Sequence, residues 1–134
     1  MITMKELLKG AEFDLLPEEH QQNLLELLVL LNKFRNLYGK PMFVTSPYRT
    51  MEDHLRIYRQ KGIADTSKIP MKSKHLSGQA CDFADPDGEL KAFIMNHLSE
   101  IEQYGIWFED FAHTPGWVHM QSVAPKSGKR FFIP

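Results

Sequence analysis

Two imidazoles and one carboxylate stand at spacings that suit a metal ion. His75 and Asp82 lie seven positions apart in Ser73-Lys74-His75-Leu76-Ser77-Gly78-Gln79-Ala80-Cys81-Asp82, and His119 follows in Trp117-Val118-His119-Met120. Neutral imidazole nitrogens and a carboxylate oxygen are the ordinary ligands of a catalytic Zn2+, which takes three protein groups and keeps a fourth position open. Taken singly, His75 or His119 reads better as a structural histidine. The joint pattern with Asp82 reverses that reading.

These residues need elements that bring them together. Gln79 to Phe83 reads as a short strand entered through Gly78, with His75 in the turn leading in and Asp82 near the far end. Alternation along Trp117–Met120 puts Trp117 and His119 on one strand face and Val118 and Met120 on the other. Upstream, residues to Leu16 read as a short helix or arm. Pro17-Glu18-Glu19 opens a core helix with Leu24, Leu27, Leu28, Leu31 and Phe34 at helical spacing, stopped at Gly39. Met42-Phe43-Val44 reads as a strand that turns out at Ser46-Pro47-Tyr48-Arg49. Thr50-Met51-Glu52-Asp53 has the form of a capping box for a helix to about Gln60, closed by Gly62. Lys61 to Lys74 reads as a surface loop. A further helix carries Leu90, Phe93, Ile94, Leu98 and Ile101 and ends at Gly105. Ile106-Trp107-Phe108 and Trp117–Gln121 read as two more strands, followed by an extended tail.

The chain has 134 residues and reads as one domain, with a core large enough to need no disulfides. The 43% apolar and 25% charged composition is that of an ordinary globular protein. A net charge of -1 leaves no basic footprint for nucleic acid. The one cysteine, Cys81, reads as a small buried hydrophobe facing away from Asp82. The N-terminus has neither the apolar core nor the cleavage site of a secretory signal, and Leu24–Leu31 is too short for a membrane span. The expectation is a chain that accumulates in the cytoplasm of the producing cell, with no membrane partner, and a monomer is favoured over a dimer joined along the leucine stripe.

Ser-x-His-x-x-Gly-x-Ala-x-Asp followed by Trp-x-His resembles the zinc D-alanyl-D-alanine carboxypeptidase and L-alanyl-D-glutamate endopeptidase family. That family includes vancomycin-resistance dipeptidases and many phage endolysins, and shares its fold with the hedgehog signalling domain. Val44-Thr45-Ser46-Pro47-Tyr48-Arg49-Thr50 is similar to the family's Ser-Gly-Tyr-Arg-Ser element, with proline in place of glycine. The resemblance implies an α+β fold, in which a small antiparallel sheet carrying the zinc site packs against three main helices. It also implies hydrolysis of peptidoglycan stem peptides, after release by lysis or a holin-type pore, or as part of a virus particle.

In the resembling enzymes an acid sits three residues before the last histidine. Here that position is Gly116, so the base must come from elsewhere: Asp110 first, then Glu109 or His113, all in the segment before Trp117. Arg49, permanently charged, can clamp a substrate carboxylate or stabilise an oxyanion, the role that the resemblance implies for it. Ser73, Tyr48 and Trp117 are candidates for lining the cleft. His20 and His54, early in their helices, are expected in solvent, and His97 is expected to be a packing residue. Gly116 also leaves room for a different class of protein: a catalytically silent zinc-binding structural or cell-wall-binding module.

Overall fold

In the computed structural model, which describes residues 1–134, a short helix α1 (Met4–Leu8) opens the fold. Thr3 Oγ1 accepts from the Glu6 N–H while the Glu6 carboxylate accepts from the Thr3 N–H, a complete capping box. Pro17 caps α2 (Glu18–Tyr38), which stops at Gly39 in the left-handed region, φ 73°. Its Leu24, Leu27, Leu31 and Phe34 are buried, and they anchor the one cluster of 17 buried apolar residues. Each such side chain contributes about 1.5–3 kcal/mol by leaving water.

Strand β1 (Val44–Ser46) begins two residues later than the sequence suggests. Met42 is buried but Phe43 is exposed, and the ladder is irregular between Val44 and Ser46, so pairing settles at Val44 with Phe83 and Ser46 with Asp82. Thr50 caps α3 (Met51–Gln60) by accepting from the Asp53 N–H. Only this half of the expected box forms, because the Asp53 carboxylate turns instead to Arg56.

After β2 (Ala80–Ala84), the buried Asp85 carboxylate accepts from the N–H groups of Leu90 and Lys91 and so fixes the start of α4 (Glu89–Asn96). The expected single helix to Gly105 is in fact two. His97 leaves the helical region (φ -129°), and α5 (Leu98–Glu102) restarts behind it. The His97 Nδ1–H donates to the Phe93 carbonyl, occupying the oxygen that a continuing helix would use. The ring also stacks on Phe93, the packing role expected of it.

Strands β3 (Trp107–Glu109), β4 (Trp117–Gln121) and β5 (Phe131–Phe132) complete a sheet of order β1-β2-β4-β3-β5. The sheet is mixed and not purely antiparallel as expected, because β5 runs parallel to β3. Strand β5 runs opposite to β4, so the segment from Ser122 to Arg130 only has to step across the end of β3, which already occupies the place beside β4 that a tight hairpin would take. Cys81 is fully buried in the core. No helix is long and apolar enough to cross a membrane.

Candidate metal centre

The β2–β4 ladder sets Asp82 directly opposite His119. Val118 and Met120 go into the core, so alternation leaves Trp117 and His119 on the other face. His75 arrives from the turn before β2, and that turn is clamped to α2. Gly78 has φ +77°, and a Cβ there would stand 2.9 Å from Leu24 Cγ and 3.2 Å from the His20 carbonyl. Only glycine fits so close an approach in that conformation.

The ligating atoms of His75, Asp82 and His119 all lie within 4.8 Å of one another. His75 Nε2 is 3.3 Å from Asp82 Oδ2, and His119 Nδ1 is 2.8 Å from Asp82 Oδ1. The remaining ring nitrogens face acceptors: His75 Nδ1 the Pro47 carbonyl at 2.9 Å, and His119 Nε2 the Gln121 Oε1 at 2.9 Å. The Gln121 amide is oriented in turn, because its Nε2 donates to the Val123 carbonyl. Each imidazole thus has an acceptor on both sides, whereas a neutral ring carries only one N–H. A cation between the two histidines and the carboxylate resolves the conflict. Each ring then donates outward and turns its lone pair inward, which is the usual support of a metal-bound histidine. The donor set therefore fits a metal, and Pro47 and Gln121 complete it.

Burial alone would push the Asp82 carboxyl up, but hydrogen bonds and charge from His119 and His75 hold it down at about 2. Burial pulls the His119 imidazole down, and the Asp82 carboxylate more than reverses this, so its pKa stands above the ordinary value. Asp82 therefore stays ionised and ready to bind a cation at any neutral pH.

The other candidates divide into four groups. Tyr48, Arg49 and Ser73 line one cleft of about 460 Å³, together with His20, Lys72 and Lys74. The Tyr48 hydroxyl meets His20 Nδ1 at 3.0 Å, Ser73 Oγ accepts from the His75 N–H, and the Arg49 N–H donates to the His75 carbonyl. Trp117 lies at the start of β4, outside that cleft. Asp110 and His113 pair with each other at 3.0 Å on the surface.

Glu109 is placed differently from its neighbours. Trp107 pairs with Gln121 and Phe108 with Met120, so the same register carries Glu109 across from His119 on the ligand face. Burial raises its carboxyl pKa; the charge of His119 opposes the shift and that of Asp82 adds to it. Gly116 is a left-handed turn (φ +77°) at the entry to β4, and a Cβ there would meet nothing within 4 Å.

His54 is a correction. Expected in solvent, it is fully buried, because the Lys61–Lys74 loop folds over the start of α3 and offers it the Pro70 carbonyl. Neither the Arg49 cleft nor a larger apolar depression, about 540 Å³ between α2 and Trp107, is lined by any of the three ligand candidates; the cleft is joined to them through the main-chain bonds of the His75 turn.

The family model described as Peptidase M15 matches residues 4–121, a span that includes all three ligand candidates. No curated protein and no solved structure gives a match.

Proposed function

The chain belongs to the Peptidase M15 family, a family of metallopeptidases, and from that premise we propose that it is a zinc peptidase that hydrolyses peptidoglycan stem peptides. The observation that carries the proposal is the convergence of His75, Asp82 and His119 within 4.8 Å, with their outward nitrogens already engaged. The wall-peptide substrate is supported by the resemblance of the three motifs to D-alanyl-D-alanine carboxypeptidases and L-alanyl-D-glutamate endopeptidases. A phage-type lysis role, exercised after release or from a virion, follows from the same resemblance.

His75, Asp82 and His119 hold the ion. When bound there, zinc supplies Lewis acidity toward a peptide carbonyl and acidifies a water to a pKa of about 7. Glu109 takes the proton of the attacking water and returns it to the leaving amine. It replaces Asp110 as first choice because it shares the face of His119, while Asp110 is occupied by His113. Burial raises its carboxyl pKa above the ordinary carboxylate value, which favours its taking up a proton. Arg49, on the wall of the cleft, stabilises the developing oxyanion or grips a substrate carboxylate. Tyr48 and Ser73 shape the cleft beside it.

The test is a digest of purified peptidoglycan with zinc-loaded protein, the products read by mass spectrometry, against a His119→Ala control. New amine termini that vanish in the control are expected, and they identify the bond. Stoichiometric zinc with no cleavage would replace the enzyme with a silent metal-binding module, the reading that Gly116 favours.

A further inference from the structure

A buried imidazole outside the metal centre has both nitrogens engaged, and their roles are fixed. His54 is fully buried in the first turn of α3, with the Tyr58 ring packed 5.0 Å away. Its Nε2 stands 2.8 Å from the Pro70 carbonyl. A carbonyl can only accept, so Nε2 carries the hydrogen and Nδ1 is left with its lone pair. Into that lone pair Arg49 Nη1 donates at 3.4 Å. From the other side, Arg49 Nε and Nη2 both donate to Ser46 Oγ, at 3.1 and 2.6 Å. All three guanidinium nitrogens are thus held, by β1 on one side and α3 on the other, while the residue lines the cleft. The main-chain N–H of Arg49 also donates to the His75 carbonyl, tying the arginine to the ligand turn.

We propose that His54 is a positioning residue for Arg49, setting the azimuth of the guanidinium in the cleft through its Nδ1 lone pair. The inference rests on the reading of Arg49 as the residue that meets substrate. Burial holds the ring uncharged, the hydrogen bond to Pro70 opposes this, and the Arg49 charge reinforces it. Only an uncharged ring can accept from a guanidinium. The competing role is a plain anchor for the Lys61–Lys74 loop, served by the Pro70 contact alone.

Two amide substitutions separate these roles, because Asn presents its polar atoms near the position of Nδ1 and Gln near that of Nε2. His54→Asn keeps an acceptor for Arg49 and gives up the Pro70 contact. His54→Gln does the reverse. In zinc-loaded protein, His54→Asn is expected to keep kcat/KM for wall-peptide cleavage near that of the unaltered chain. His54→Gln should lose about 10- to 100-fold, the scale of a misplaced catalytic group. A second readout needs no substrate: the Arg49 Nη1–H signal in nitrogen-15 NMR, the one held by His54 Nδ1, should persist in the unaltered chain and in His54→Asn, and exchange away in His54→Gln. Arg49→Ala tests the same contact without touching the buried ring, and should shift the His54 Nδ1 resonance while sparing Nε2. The proposal is overturned if His54→Gln retains activity and the Arg49 signal while His54→Asn loses them. It is equally overturned if the two variants behave alike, or if Nδ1 ignores Arg49→Ala. If the unaltered chain cuts no peptide and the NMR pattern still holds, the positioning role stands and the peptidase reading falls.

Discussion

Gly78→Ala is the substitution whose cost the geometry states most directly. The residue sits at φ +77°, with Leu24 Cγ 2.9 Å from where the new Cβ would be. The left-handed conformation costs an L-residue about 1–2 kcal/mol. The contact adds more, because Leu24 is fully buried in the core and its branch carbon has nowhere to move. Forcing a methyl into such a place costs about 1–3 kcal/mol, so the sum is about 2–5 kcal/mol. For a chain of this size that lowers the thermal midpoint by roughly 6–20 °C. Gly116→Ala is the matched control: it has the same φ of +77° but nothing within 4 Å. It should show the backbone cost alone, about 1–2 kcal/mol. The assay is thermal and denaturant unfolding of both variants without metal, followed by zinc titration. Gly78→Ala should also bind zinc more weakly, since the way to relieve the contact is to lift the His75 turn off α2. Equal destabilisation by the two alanines would refute the close approach, and unaltered zinc affinity in Gly78→Ala would refute the coupling of that turn to the helix.

Glu109→Gln should lower the cleavage rate by about 10²- to 10⁴-fold with zinc still bound, while Asp110→Asn changes it little; the reverse order would move the base to Asp110. Gln121→Leu removes the acceptor of His119 Nε2–H and should weaken zinc binding about 10- to 100-fold by competition titration, with the fold intact by circular dichroism. Without metal, the Asp82 and His119 shifts together favour mildly acidic solution. The Asp82 carboxyl, at about 2 against an ordinary 3.8, contributes stability that is full above the unfolded value and is lost as pH falls through 2. That contribution is about 2 kcal/mol. The raised His119 acts in the opposite sense, contributing below its ordinary 6.5 and losing that contribution as pH rises through its folded value. The lowered His54 costs stability as pH falls below 6.5 and so opposes His119. On chelated His54→Asn protein, which lacks that imidazole, denaturant midpoints measured from pH 2 to 9 should peak between about pH 4 and 6.5, and a flat profile would contradict both shifts.

The parts legible in the sequence were those written in residue type at short range. His75, Asp82 and His119 stand out because ligand types recur at spacings that a turn and two strands can bring together. The ends of α2 stand out because Pro17 and Gly39 act locally. What could not be read depends on where distant segments settle. The break at His97 turns on a side chain reaching its own i−4 carbonyl, which no periodicity reveals. Gln121 looks like any polar residue at a strand end, and its part emerges only when Val123 fixes its amide. His54 reads as a solvent-facing residue until the Lys61–Lys74 loop covers it. The parallel entry of β5 likewise depends on the path of Ser122–Arg130, which carries no pattern of its own.

The direct opposition of Asp82 and His119 in the β2–β4 ladder makes the ion a gauge of strand alignment. Side chains alternate with period two, so sliding β4 by one residue would present Met120 or Val118 to Asp82 and turn His119 into the core. A cation bound by both strands is compatible with one alignment and penalises every neighbouring one. Metal bound during folding would thus favour the native pairing of β2 with β4. A chain refolded under chelation loses that selection at the step where the sheet is assembled.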